Sequence, residues 1–278
     1  MTFLRSLLQR FFPIGVLAAC LLLAACSGDK AEDEDLTKPS ESVEVLYNRA
    51  RDTLAENSYK KAVTAFEEVE QQHPYSEWAV RSQIMSAYSS YKARDYDSAI
   101  GTLERFVKMH PNHESAPYAF YLTALCYYEQ ISDVGRDQKM TQLAQQALND
   151  VIQRFPDTDF ARDAKIKQDL VTDHLAGKEM EVGRYYLKRN EYLAAINRFK
   201  FVIDTYQTTS HTPEALHRLV ESYLRLGVKE EATRYASVLG YNYPKSQWYR
   251  DSYALLEGKT LPESETKKGF LDKLIPKL

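Results

Sequence analysis

The residues able to do chemistry are few and scattered. His110 and His113 flank Pro111, so they occupy a turn and not one helix face, and no further metal ligand stands near them. His73 and His110 each precede a proline, where a helix end and its dipole suit an imidazole. His211 and His217 have no Cys or second His at metal-ligand spacing. Gly258-Lys259-Thr260 has the ending of a phosphate loop, but Tyr253 stands where the upstream glycine is required. Glu67-Glu68 and Glu230-Glu231 read as solvated helix faces before acid–base pairs. Cys126 lies amid Leu122, Leu125, Tyr127 and Tyr128, where a packed, unreactive thiol is expected. No Gly-x-Ser-x-Gly and no His-Glu-x-x-His occurs. This inventory specifies no catalytic residue, cofactor or metal, and points to binding.

Cys26 is the exception. Arg5 and Arg10 open the chain, and an apolar run follows from Phe11 to Ala25. A charged start, a short apolar stretch and small residues at its end form an export signal. Fifteen residues fall short of the ~20 that span a bilayer as a helix. Leu23-Ala24-Ala25-Cys26 resembles a bacterial lipobox, in which the thiol takes a diacylglycerol and the Cys becomes the new N-terminus. Leu17-Ala18-Ala19-Cys20 fits the same pattern, but Leu21-Leu22-Leu23 would leave it an apolar stub. Residues 1–25 are therefore expected to be removed and 26–40 to form a lipidated acidic tether. Several acyl chains, at ~0.8 kcal/mol per buried methylene, anchor durably. Ser27 after the Cys favours the outer membrane.

The remainder has ordinary soluble composition: 278 residues in all, 44% hydrophobic and 27% charged, with 20 Tyr. The net charge of −3 gives no sign of a nucleic-acid partner. What must position any binding residues is a repeat. Tyr59-Lys60-Lys61-Ala62 precedes His73-Pro74, and Tyr96-Asp97-Ser98-Ala99 precedes His110-Pro111, with twelve residues from Ala to Pro each time. The same interval links Ala144 to Pro156 and Ala232 to Pro244. Ala195 starts another copy in which Gln207 replaces the Pro. Twelve residues before the Ala stand Ala50, Ala87, Gly183 and Val220, while Ala124 is displaced by an eight-residue insertion.

Small residues let two helices approach, apolar residues after them fill the gap, and Pro ends the second helix. This is the logic of the tetratricopeptide repeat. The expected fold is all-α: a right-handed superhelix of about five helix pairs over residues 41–257, with a tail at 258–278. Repeats 1–3 are placed at about 41–158 and repeats 4–5 at about 159–257. The insertion with Arg136-Asp137-Gln138 is a loop by composition, and Ala161–Arg189 makes one longer helix or an added one.

In such repeats the first helix of each pair lines the binding groove. That places Tyr47 and Arg51, then Arg81, Tyr88, Tyr91 and Lys92, in one face. Tyr118, Tyr121 and Tyr128 follow in repeat 3. Cations with tyrosines suit an extended peptide with aromatic side chains and a C-terminal carboxylate. Repeat 5 offers His217, Glu221 and Arg225, a more polar surface for another partner.

Lipobox, acidic tether and five repeats together resemble the BamD (ComL) family of outer-membrane β-barrel assembly lipoproteins. The most similar stretches are His73-Pro74-Tyr75-Ser76, Arg105 to His113, Arg136-Asp137-Gln138 and Phe155-Pro156-Asp157-Thr158. The resemblance implies an outer-membrane anchor facing the periplasm. It also implies partnership with a barrel-forming, BamA-like subunit and other Bam lipoproteins, and receipt of unfolded outer-membrane proteins by the N-terminal repeats. In the family an Arg directly after a Tyr helps dock the barrel subunit. Here Leu224 follows Tyr223, and Arg225 stands one place later. A repeat lipoprotein coordinating cell-wall synthesis with the envelope is the competing reading. A wall-lytic enzyme would need a catalytic domain for which the repeats leave little chain.

Overall fold

The computed structural model describes residues 41–259. The expected signal, Cys26, the tether to residue 40, and residues 260–278 of the tail lie outside the described residues. From Val43 the described chain belongs to one compact unit.

Eleven helices and no strand occur among the described residues: α1 (Val43–Ala55), α2 (Tyr59–Gln72), α3 (Glu77–Lys92), α4 (Tyr96–Met109), α5 (Ala116–Tyr128), α6 (Lys139–Arg154), α7 (Asp159–Lys188), α8 (Tyr192–Thr205), α9 (Thr212–Arg225), α10 (Lys229–Asn242) and α11 (Gln247–Leu256). α1 to α10 each pack mainly on their neighbours in sequence, which gives five pairs, and α11 packs on α9 and α10.

The repeat alanines 62, 99, 144, 195 and 232 are wholly buried on the second helices. Seven places on, Val69, Phe106, Val151, Val202 and Leu239 are buried too, two turns along the same face. Ala50, Ala87, Ala124 and Val220 face them from the first helices without exposure. At the fourth pair that place is Gly183, and a methyl there would overlap the Phe199 ring. Phe66, Phe106 and Phe199 are among the largest fully buried side chains, each worth about 1.5–3 kcal/mol in removed apolar surface.

Two turns recur. Between the helices of a pair, one residue takes positive φ: Asn57 (59°), Arg94 (61°), Asn190 (61°) and Gly227 (78°). The chain closes there with the same two backbone bonds, such as Asn57 N–H to the Leu54 carbonyl and Ser58 N–H to the Thr53 carbonyl. Between pairs, the residue before the repeat Pro leaves the helical region, with φ −133° at His73, −129° at His110, −132° at Phe155 and −132° at Tyr243. Ser76, Thr158 and Ser246 then cap the next helix through their side-chain oxygens. Tyr206 adopts the same turn (φ −122°) before Gln207, so proline helps this turn without being needed for it.

The third pair departs from the pattern. The loop from Glu129 to Gln138 replaces the tight turn and folds around Gln138, which is 7% exposed. Its amide donates to the carbonyls of Asp133 (3.3 Å), Val134 (3.4 Å) and Arg136 (3.1 Å), and its oxygen accepts from the Thr141 hydroxyl at 2.9 Å. Downstream, α7 is one uninterrupted helix of 30 residues, which settles the choice between a long helix and an added one. Its first half joins the core of α5 and α6 through Ala164, Val171 and Leu175. Its second half joins α8, α9 and α10 through Ala176 and Met180.

The last described helix, α11, ends like a first helix. Gly258 (φ 71°) repeats the positive-φ closure, with bonds to the Leu255 and Ala254 carbonyls. Counting back seven from that turn, where other first helices carry Ala50, Ala87, Gly183 or Val220, it carries Asp251. A carboxylate there suits a helix that has no second helix of its own among the described residues.

Candidate functional site

The first-helix face carries the expected groove residues, but it groups them unevenly. On α1, the half-buried Tyr47 ring lies 5.6 Å from Phe66 and 4.8 Å from Trp78, so much of it serves the contact between the first two pairs. Arg51 is exposed one turn on, beside Asp52 at 3.4 Å. On α3, Arg81 lies over the Trp78 ring at 5.5 Å and Lys92 over the Tyr59 ring at 5.8 Å. Both are exposed, and eleven residues of helix separate them, about 16 Å.

Along α3, Tyr88 and Tyr91 stand between these cations and begin a belt of tyrosines. Tyr88 and Tyr91 of α3 pack with Tyr118 of α5. Desolvation pushes the Tyr118 hydroxyl up to about 12, helped by Tyr88 and Tyr91 close by. Desolvation, then the Glu129 carboxylate, pushes Tyr91 up to about 12, and Tyr91 donates to Glu129 at 3.4 Å. Tyr121 is raised for the same first reason and donates a short bond to Asp163 of α7. Bonds from Lys167 (2.7 Å) and Tyr121 hold the Asp163 carboxyl below its ordinary value. Lys167 lies over Tyr128 at 5.8 Å, and Phe160 lies 5.6 Å from Tyr118 and 5.3 Å from Tyr121. Protonated hydroxyls, ring faces and flanking cations make this belt a surface for polar-aromatic contacts. Phe160, Asp163 and Lys167 join it from outside the expected groove residues. The periodicity that selects Tyr118 and Tyr121 continues into α7 and is the signal that could have found them.

The C-terminal surface needs a correction. His217, expected to dock a partner, is 2% exposed and lies under α11. Its Nδ1 is 2.8 Å from the Ser252 hydroxyl, and its ring is 5.1 Å from Trp248. Desolvation, then the charge of Arg218, pushes its pKa down to about 3. Helical register puts His217 on the correct face of α9 but says nothing of the helix that covers it. Glu221 is half-buried between Arg218 (2.9 Å) and the 56%-exposed Arg225 (3.5 Å). Arg218 also reaches Glu214 (3.4 Å) and lies over Trp248 at 5.4 Å, and Glu214 holds Arg184 of α7 at 3.0 Å. Spacings of four, three and four along α9 make this ladder legible afterwards.

Cys126 is wholly buried and its thiol is pushed up to about 12, mainly by desolvation. His113 and His110 pack on Phe106, and the His113 Nδ1 accepts from the Ser115 N–H at 3.0 Å. Among the described residues no three His, Cys, Asp or Glu side chains converge as metal ligands, and no helix is long and apolar enough to cross a membrane.

Repeated pairs closed by the same turn, with small residues at the contacts and aromatic side chains on the first-helix face, define a tetratricopeptide-type repeat protein. A family model described as outer membrane lipoprotein (YfiO) matches residues 39–239. The chain is 49% identical to the outer membrane protein assembly factor BamD of Caulobacter vibrioides, over 95% of this chain and 90% of that protein. It is 46% identical to the BamD of Rickettsia prowazekii, over 91% and 98%. This chain belongs to the BamD family of outer membrane lipoproteins. Solved tetratricopeptide structures are more distant. A thermophilic protein of Thermus thermophilus has 19% identity, TM-score 0.36, and covers 78% of this chain and 99% of that one. The yeast Sti1 TPR2AB domain has 11% identity, TM-score 0.45, and covers 77% and 83%.

Proposed function

We propose that this protein is a non-enzymatic component of the machinery that assembles and inserts β-barrel proteins in the outer membrane. Its BamD relatives are outer membrane protein assembly factors, which supports the reading. In it, Cys26 carries the lipid that holds the chain at the outer membrane, facing the periplasm. Unfolded outer-membrane proteins are bound along α1, α3 and α5. The barrel-forming BamA-like subunit and other Bam lipoproteins dock on the C-terminal pairs, where Glu221 and Arg225 end a charged ladder.

One observation carries the substrate reading: Tyr88 and Tyr91, packed on the same core as Tyr118 of α5, stand along α3 between two exposed cations, Arg81 and Lys92. Ring faces take an aromatic side chain, and either cation takes a C-terminal carboxylate. An extended chain of five residues spans about 16 Å, which matches the separation of the cations. The test measures binding of peptides ending in a free aromatic residue to the full-length protein and to Arg81→Glu with Lys92→Glu. At least a tenfold loss is expected, and an amidated peptide should show the smaller difference. Equal affinity for both proteins would remove the groove assignment. Recovery of murein synthases instead of a large β-barrel protein from detergent-solubilised membranes would favour the role in cell-wall coordination.

A further inference from the structure

An open cavity of about 390 Å³ lies between α7, the loop before α6 and the start of α9, away from the tyrosine belt and bordering the ladder of α9 through Arg184. Its wall is a built one. Gln138 clasps the loop from inside, and Lys178 of α7 donates to the Gly135 carbonyl at 3.1 Å. A methyl on Gly177 would stand 3.1 Å from the His211 ring, so the helix comes close to the start of α9 there.

The lining has an apolar part and an acidic part. Val134 and the half-exposed Leu170 supply the first. Asp133, Asp173 and Glu181 supply the second. The carboxylate of Asp173 is engaged by the backbone N–H and hydroxyl of Ser210, at 2.9 and 2.8 Å, with the His211 Nε2 at 3.6 Å. Arg184 also lines the cavity, and Glu214 takes it at 3.0 Å. Two acids are left. A Cβ placed on Gly135 would lie 3.1 Å from Asp133 Oδ1 and 3.6 Å from Glu181 Oε1, so the two carboxylates converge on one spot. Lys178 shares its ammonium between Glu181 and the Gly135 carbonyl. Nearby, the Nε2 of His174 is shielded from solvent and has no hydrogen-bond partner.

We propose that this cavity receives an arginine side chain projected by a partner polypeptide. The aliphatic stem rests on Leu170 and Val134, and the guanidinium lies between Asp133 and Glu181. Carboxylates from two separate segments offer paired acceptors to a planar fork, which an ammonium meets only as a point charge. The amphipathic stem and head match the apolar and acidic parts of the wall. The opening leaves the ions partly hydrated, which avoids the heavy cost of full burial.

The test uses full-length protein in detergent, labelled at its histidines, with the imidazole signals of His174 and His211 followed by NMR. It is titrated with three capped tripeptides, Gly-Arg-Gly, Gly-Lys-Gly and Gly-Gln-Gly. Saturable shifts at an at least fivefold lower concentration of the arginine peptide are expected. Asp133→Asn with Glu181→Gln should abolish that preference while leaving the thermal midpoint close to wild type. No saturable shift, an equal response to the glutamine peptide, or a preference that survives the double variant overturns the proposal. An equal response to lysine overturns the choice of arginine. If the double variant melts early, Glu181→Gln alone replaces it, with the same criteria.

Discussion

His217 links a single side chain to the stability of the whole C-terminal end. Its imidazole is buried as the neutral form between Ser252, Trp248 and the Arg218 charge, and its pKa is pushed down from 6.5 to about 3. The unfolded chain therefore binds this proton first. The stabilisation is complete above pH 6.5 and is lost as pH falls towards about 3. Between pH 6.5 and 5, above the ordinary carboxylate range, wild type should lose more thermal stability than His217→Gln. Melting curves at half-unit pH steps check this, and parallel curves would mean that His217 is not the source. Periodicity puts Tyr88, Tyr118 and His217 alike on first-helix faces, but exposure depends on what the next helix covers. The neighbours of Tyr88 leave it half-buried; for His217, α11 closes over it.

Gly183 and Gly101 show why a helix glycine has no fixed meaning. In α7, a Cβ on Gly183 would overlap the Phe199 ring that fills the fourth pair. In α4, a Cβ on Gly101 meets nothing within 4 Å. Gly183→Ala should cost about 1–3 kcal/mol by overpacking. Gly101→Ala should gain about 0.5–1 kcal/mol from helix propensity and lost unfolded-state freedom. Urea unfolding of the two variants beside wild type decides it, and the same sign for both would refute the close contact at Phe199. The spacing of small residues is enough to mark Gly183 as a helix contact. Nothing in that spacing shows that Gly101 is free. The turn at Tyr206 makes a related point: the backbone bonds and packing that shape it persist when Gln207 stands in for proline.

Repeat stacks unfold as a line of nearest neighbours unless something joins distant units. Here α7 does so. Its residues up to Leu175 belong to the core of the third pair, and those from Ala176 on to the core of the last two. A 30-residue helix split between two cores cannot keep one half folded without exposing apolar residues of the other. The two tryptophans report the two ends, Trp78 against Tyr47 and Trp248 against His217. Urea transitions of Trp248→Phe and Trp78→Phe, each followed by the remaining tryptophan, should share a midpoint within about 0.3 M. Midpoints separated by more than about 1 M would mean that α7 does not couple the ends.

The amino-acid sequence determined the parts governed by local chemistry and by a period: helix type, the five pairs, the small and large residues at their contacts, and the turn at each repeat proline. These follow from short-range sterics and from the 3.6-residue phase, which one chain carries in full. The tertiary structure alone decided which phased residues remain reachable. It gathered Tyr88, Tyr91, Tyr118 and Tyr121 with Asp163 from 42 residues beyond Tyr121. It also buried His217 under a helix 35 residues away, and it brought Asp133 to Glu181 across a loop. Burial and electrostatic coupling depend on distance in space, and no spacing along the chain encodes how far apart two helices will finally rest.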